Sequence, residues 1–450
     1  MDEKTIIALE IGSSKIKGAI GTVSADAQLN VTAVEEEPIL DIVRYGMIRN
    51  IFETAQAVRN VITRLEKRET PRKVQAVYLS VGGRSLISQS IDRERRLPSE
   101  SIITEELIKD ITAEVLESPL PDRSVVGVTM RELLIDNTVT TRPIGVMGSH
   151  VQARLNLISC RSQMMRNLAV VVEEKLGLKI ADTFIRPLAI ADLVLLSDEK
   201  KLGCMLVDFG AETTTVAIYR GGFLVHLAVL PMGSRNITRD IASLNYLEEQ
   251  AEEIKKTVGS AIPSGTENTP ASTGQQSIDV AMVNNYVAAR ASEIIHNICE
   301  QIKYAGLTPE RLPNGIIIVG RGSRLARFNQ RLEQISGLKV RTGVPGNRLR
   351  ILDGRIQVAD SVDVLSILAA AAHSEPIDCL SRAPQQINIE PPTPGGTPQP
   401  IRPPHVPVQP TPSDGGGKGG KNPFSKFYDK LVTRVASAVQ STFEEEDDEE

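Results

Sequence analysis

Apolar positions along this chain follow two rhythms. From Thr5 to about Val34, apolar and β-branched residues gather in short runs around a Gly-containing turn, the pattern of strand, turn, strand and a further strand. The period then lengthens: Ile51, Ala55, Val58, Ile62 and Leu65 recur at helical spacing between Ile51 and Glu66. Ala76 to Val81 reads as a strand that Gly82-Gly83 ends, after which the character changes. Arg84 to Cys160 carries short strands and one predicted helix, Thr104 to Leu116.

An α/β rhythm returns at Gln163. The pattern predicts a helix to Leu176, a strand Lys179 to Ile185, the junction Arg186-Pro187 and a helix Leu188 to Leu196. A hairpin from Met205 to Tyr219 and a strand Phe223 to Val229 follow. Helices are predicted over Ile237 to Ser243, Leu247 to Thr257 and Val283 to Tyr304, with a polar surface loop from Ser264 to Ser277. A strand Gly315 to Val319, a helix Arg324 to Ile335 and a last helix Asp363 to Ala372 complete the patterned part, which ends near Leu380.

A chain of 450 residues exceeds one compact core, so two or more domains are expected. Apolar content of 41% and charged content of 24% are those of a globular protein. A net charge of −5 lacks the basic face that nucleic-acid binding requires. Aromatics at 3%, with no Trp, leave little material for stacking platforms or sugar clefts. Cys160, Cys204, Cys299 and Cys379 lie far apart without CxxC spacing; Cys204 and Cys299, in apolar contexts, read as small core residues, and the chain reads as one of a reduced compartment. No signal peptide is visible, and no apolar run approaches the ~20 residues that span a bilayer.

The chemistry lies in the turns. In MLVDFGAETTTVAIY, Met205 to Tyr219, Asp208 ends the first strand, Gly210 and Ala211 offer backbone N–H groups, and Thr213 and Thr214 add hydroxyls. Such a turn forms an anion-binding concavity, and a neighbouring carboxylate suits the water shell of a magnesium ion. A single turn of this kind, taken alone, reads first as an ordinary hairpin. The grammar repeats in ALEIGSSKIKGAI, Ala8 to Ile20, where Glu10 matches Asp208, Gly12 matches Gly210 and Lys15 matches Thr213. Two copies point to a duplicated fold that clamps phosphate where its halves meet. Glu252 and Lys255 share a helix face, either as a solvated ion pair or as ligand contacts. Gly320-Arg321-Gly322-Ser323 joins a strand to a helix, which also favours a nucleotide, although Leu325 stands where a dinucleotide fingerprint has its third glycine.

In this order the motifs resemble the actin-like ATPase superfamily and, within it, the FtsA family, which ties FtsZ filaments to the bacterial membrane. Supporting stretches are RYGMIRN (Arg44 to Asn50), YLSVGGRSLISQS (Tyr78 to Ser90), RPLAIADLVL (Arg186 to Leu195), LPMGSRNITRDIA (Leu230 to Ala242) and AEEIKKTVGSA (Ala251 to Ala261). The resemblance runs from Thr5 to about Leu380. It implies an α/β, duplicated actin-like ATPase fold: residues 1–83 and 162–197 as the first domain, 84–161 as an inserted small subdomain, and 198–360 as the second domain. A small subdomain falls at about 232–307 and a closing helix at 361–382. It also implies ATP and Mg2+ as ligands, with weak ATPase activity at most. Gly12, Ser13, Ser14 and Lys15 would face the phosphates from one side, and Asp208, Gly210, Ala211, Thr213 and Thr214 from the other. Glu10 and Asp208 would meet the magnesium ion mostly through water, Glu252 and Lys255 the ribose, and Gly320, Gly322, Ser323 and Arg324 the adenosine.

The implied role is a cell-division adaptor at the Z-ring, on the cytoplasmic face of the inner membrane. The implied partners are the FtsZ C-terminal peptide, docking around Met232 to Leu307, further copies of the chain in filaments, and other division proteins of the divisome. A pilus-assembly platform protein of the same fold is the alternative, followed by a small-molecule kinase, for which neither a general base nor a substrate cleft is found. Three departures bear on hydrolysis: Ala211-Glu212 where two glycines are usual, Arg321 where a glycine is common, and Glu10 where aspartate is usual. A carboxylate about 4 Å from a phosphate charge costs on the order of 4 kcal/mol at an effective dielectric of about 20. Glu212 must therefore turn away, bind magnesium or weaken ATP binding.

Residues 383–421, rich in Pro and Gly, are expected to form a disordered linker with a reach on the order of 35 Å. Residues 422–443 then predict an amphipathic helix. Phe424, Phe427, Tyr428, Leu431, Val435, Val439 and Phe443 form an apolar stripe, with Lys426, Lys430 and Arg434 on another face. That pattern suits a helix lying in a membrane interface, as the family resemblance also implies, or one docked in a protein groove. The acidic residues 444–450 oppose binding to anionic lipid at low salt.

Overall fold

The structure, a computed structural model, describes residues 4–24, 28–263, 271–273, 276–374 and 376–381. The expected linker, amphipathic helix and acidic tail lie outside the described residues.

Two sheets repeat one topology. In the first, Lys179–Ile185, Ala76–Val81, Lys4–Ile11, Lys15–Val23 and Leu29–Pro38 lie side by side, with Arg350–Ile351 added at the edge. In the second the order is Val340–Thr342, Ile316–Val319, Cys204–Phe209, Thr214–Arg220 and Phe223–Leu230. Each begins with three parallel strands and continues with two antiparallel ones. The duplication expected from the two turns is thus present in the strand order, and the turns join the same pair of strands in each half.

Helices cover the faces of both sheets, so the central strands are buried on both sides. Met205, Val207 and Phe209 belong to a core with Ile237, Ile254, Val287 and Ile294, whereas Cys204 and Leu206 belong to the core of the first half. The alternation follows the strand period of two. It also makes the two halves share one continuous core beneath the crevice between them. Helix Ile51–Arg68 starts where the Asn50 side chain accepts from the N–H groups of Phe52 and Glu53 at 3.1 and 3.2 Å. Helix Val362–Ala372, with Val364, Leu365, Ile367 and Leu368 fully buried, packs on the first sheet and brings Asp363 to the crevice.

Strands Ile87–Ile102, Met147–Arg161 and Arg123–Ile135, with the short Thr138–Val139, form an antiparallel sheet with helix Glu105–Leu116 against it and a separate core around Ile108, Ile111, Leu133 and Leu155. These three strands are long where short ones were expected. Ile87–Ile102 spans 16 residues with none buried. Its charged residues leave no apolar alternation to read. The Asn156 side chain donates to the Leu224 carbonyl at 2.6 Å, fastening this sheet to the second half.

One junction also differs. After Ile316–Val319 the chain makes a 3-10 turn, Arg321–Arg324, and the α-helix starts only at Phe328 rather than at Arg324. Arg327 at φ 62° is left-handed and separates the two.

Candidate functional site: a crevice between two phosphate-type turns

Each half contributes one turn, closed by the same bond. The Gly12 N–H donates to the Lys15 carbonyl at 3.0 Å, and the Gly210 N–H to the Thr213 carbonyl at 2.9 Å. A Cβ on Gly12 would stand 2.9 Å from the Lys15 oxygen, and one on Gly210 would stand 2.9 Å from that of Thr213. Glycine is required because the turn folds back on its own backbone. The two turns face one open cleft of about 590 Å³. Its lining contains Glu10, Gly12, Ser13, Ser14 and Lys15 from the first half and Asp208, Gly210, Ala211 and Thr213 from the second.

Seven other residues named from the sequence are not on this lining. The Thr214 hydroxyl donates to the Met232 carbonyl at 2.8 Å, and the residue is fully buried. The Lys255 ammonium donates to Glu252 at 2.7 Å, to the Thr238 hydroxyl at 2.8 Å and to the Ser234 carbonyl at 3.2 Å. Ser234 and Arg235 in turn donate their N–H groups to the Gly210 and Ala211 carbonyls at 3.0 and 2.8 Å. Glu252 and Lys255 therefore brace the second turn from behind. Gly320, at φ 86°, permits close approach: a Cβ there would stand 2.8 Å from an Asp208 carboxylate oxygen. Gly322 lies against the Phe209 ring, the Ser323 hydroxyl donates to the Gly320 carbonyl at 2.7 Å, and Arg324 pairs with Asp360 at 2.6 Å.

Lys17, Gly46 and Arg186 line the cleft without having been named from the sequence as site residues, and Arg321 was noted only as a departure. Arg186 directly follows the parallel strand Lys179–Ile185 and opens helix Arg186–Val194, with Pro187 in its first turn. The carboxyl ends of parallel strands are where ligands of α/β sheets bind, and that placement was the available signal.

The cleft is rich in paired charge. Arg186 donates to Glu10 at 2.9 Å and lies 3.4 Å from Asp208, so one guanidinium joins the acids of both halves. Burial pushes the Glu10 carboxyl up to about 7, with Asp363 adding to the rise and Arg186 and Lys17 opposing it. Burial likewise raises Asp208 against the pull of Arg186. Burial works against the charge on Arg186, but Asp208 and Glu10 hold it above the ordinary guanidinium value. Lys17 donates to Asp363 at 2.6 Å and, despite its burial, is held above the ordinary ammonium value by Asp363 and Glu10. Lys15 pairs with Glu36, which Arg321 of the second half also reaches at 3.0 Å.

Glu212 also lies on the cleft lining, but its carboxylate is occupied. Its carboxylate accepts from the Tyr45 N–H at 2.6 Å and pairs with Arg44 at 2.8 Å, Arg235 at 3.3 Å and Arg239 at 3.4 Å. Glu10 and Asp208 are a donor set of the kind that receives magnesium's water shell, but Arg186 already bridges them. Among the described residues no group of three His, Cys, Asp or Glu side chains is gathered to hold a metal directly.

A family model described as "Cell division protein FtsA" matches residues 205–366. The chain is similar to the cell division protein FtsA of Porphyromonas gingivalis, with 32% identity over 337 residues, covering 73% of this chain and 70% of that protein. It is similar to the FtsA of Neisseria meningitidis serogroup B at 27% identity, covering 83% of this chain and 91% of that one. Among solved structures, a PilM–PilN type IV pilus biogenesis complex shares the fold, with a TM-score of 0.58 and 18% identity over 82% of this chain and 98% of that one.

Proposed function

Since the chain belongs to the FtsA family of cell-division proteins, we propose that it is an ATP-binding, actin-like adaptor that ties FtsZ filaments to the cytoplasmic membrane and assembles with copies of itself. The observation that carries the ATP reading is the cleft with one glycine turn from each half on its lining. The Gly12 and Gly210 N–H groups close their own turns, so the N–H groups and hydroxyls that follow them, at Ser13 to Lys15 and Ala211 to Thr213, meet the phosphates from opposite walls. Magnesium would arrive with the nucleotide, and the nearest carboxylates, Glu10 and Asp208, are already bridged by Arg186.

A ligand that touches both halves binds their closed arrangement better than an open one, so ATP shifts the population toward closure. The closed body presents the surfaces used for self-association, and the region around Met232 to Leu307 receives the FtsZ tail peptide. Among the described residues no helix is long and apolar enough to cross a membrane. Attachment is assigned to the amphipathic segment 422–443, with 383–421 as its tether and 444–450 left in solvent.

Co-sedimentation with anionic liposomes tests the adaptor role. The full chain is expected to pellet with the vesicles and to carry an FtsZ tail peptide with it, and deletion of residues 422–443 is expected to release it while leaving ATP affinity unchanged. Equal pelleting of both forms contradicts the anchor, and a peptide left in the supernatant contradicts the FtsZ role.

A further inference from the structure

Arg186 is the cleft cation that reaches both acids at the strand ends. Lys15 is engaged by Glu36, Lys17 by Asp363 and the Asp360 carbonyl, and Arg321 by Glu36 and Asp360. Arg186 alone among these four pairs with Glu10 of the first half and Asp208 of the second. Its side chain is only 14% exposed, and it lines the same cleft as the two glycine turns. No hydrogen-bond acceptor among the described residues reaches its buried Nε. Arginine keeps its charge throughout the accessible pH range, and its planar fork binds carboxylate and phosphate oxygens alike.

Two carboxylates facing a triphosphate need a cation between them and it. Elsewhere that need is met by a divalent ion; here a guanidinium already stands at both carboxylates. We infer that Arg186 is a built-in counter-cation of the nucleotide site, so that this chain binds ATP with only a weak dependence on magnesium. The inference rests on the cleft being the ATP site. A magnesium ion brought to Glu10 and Asp208 meets a fixed positive charge that both carboxylates already share, and so gains less from them than from free carboxylates.

Calorimetric titration with ATP, in EDTA and in excess magnesium chloride, tests this on the full chain. The wild-type affinity is expected to differ by less than about fivefold between the two buffers. Arg186→Gln is expected to lose affinity in EDTA and to regain it in magnesium, which widens the ratio beyond about tenfold, whereas Arg186→Lys, which keeps the charge, stays nearer the wild type. A wild-type ratio of fivefold or more overturns the inference and leaves the ATP reading standing. So does an Arg186→Gln protein with the wild-type ratio. No heat of ATP binding in either buffer overturns the ATP reading, and the inference falls with it. The wild-type ratio decides the matter even if the variants do not fold.

Discussion

Glu212 shows how a residue unsuited to its motif is accommodated. A carboxylate next to the second phosphate turn is unfavourable for an anion, yet its side chain is 1% exposed and is enclosed by three arginines and a backbone N–H. Arg44 and Tyr45 come from the first half, Arg235 and Arg239 from the second, so the residue that departs from the motif also ties the halves together. Removing one member of a buried charge cluster leaves the others uncompensated. Glu212→Ala is therefore expected to destabilise the fold by about 3 kcal/mol, toward the lower end of such losses because Arg44 and Arg239 are partly exposed. Urea unfolding measures this, and an unchanged midpoint contradicts it. The cysteines carry a second prediction at this scale. Burial pushes the thiols of Cys160, Cys204 and Cys379 up to about 12 and that of Cys299 to about 11. At pH 8 almost no thiolate is present, so the native protein is expected to react with a disulfide reagent at least about a hundredfold more slowly than the urea-unfolded chain. A fast phase in the native protein points to an accessible thiol and contradicts this.

At the scale of elements, the second turn depends on what packs behind it. A Cβ on Gly233 would stand 2.5 Å from the Ala211 carbonyl carbon and oxygen and 2.7 Å from the Glu212 nitrogen, all backbone atoms that cannot swing aside. Gly233→Ala is expected to displace the turn and weaken ATP binding about tenfold or more. Gly354→Ala, whose Cβ meets nothing within 4 Å, serves as the unaffected control. Equal affinity of both variants counts against the buttress. The turns themselves were legible in the sequence because their signal is local: an acid, a spacer, a glycine and small hydroxyl residues between two apolar runs. The amphipathic helices were legible for the same reason. The strand Ile87–Ile102 was not, since its charged positions erase the alternation, and neither was the 3-10 turn at Arg321–Arg324, which depends on the left-handed Arg327. Arg186 meets Glu10 across 176 residues of chain, a tertiary pairing that no local pattern encodes.

At the scale of the whole molecule, the two halves meet through charge above a shared apolar core. Glu212 with Arg44, Arg186 with Glu10 and Asp208, and Arg321 with Glu36 cross the crevice, and the proposed nucleotide between the turns would add a further bridge. Closure is therefore coupled to ligand only if the same triphosphate engages both walls. Hydrogen–deuterium exchange during an ATP titration reads this most directly, because the amides of each turn report separately. Peptides covering Glu10 to Lys17 and Asp208 to Val216 are expected to gain protection together, with one half-saturation concentration. Protection of one turn while the other exchanges at its nucleotide-free rate contradicts a site shared between the halves.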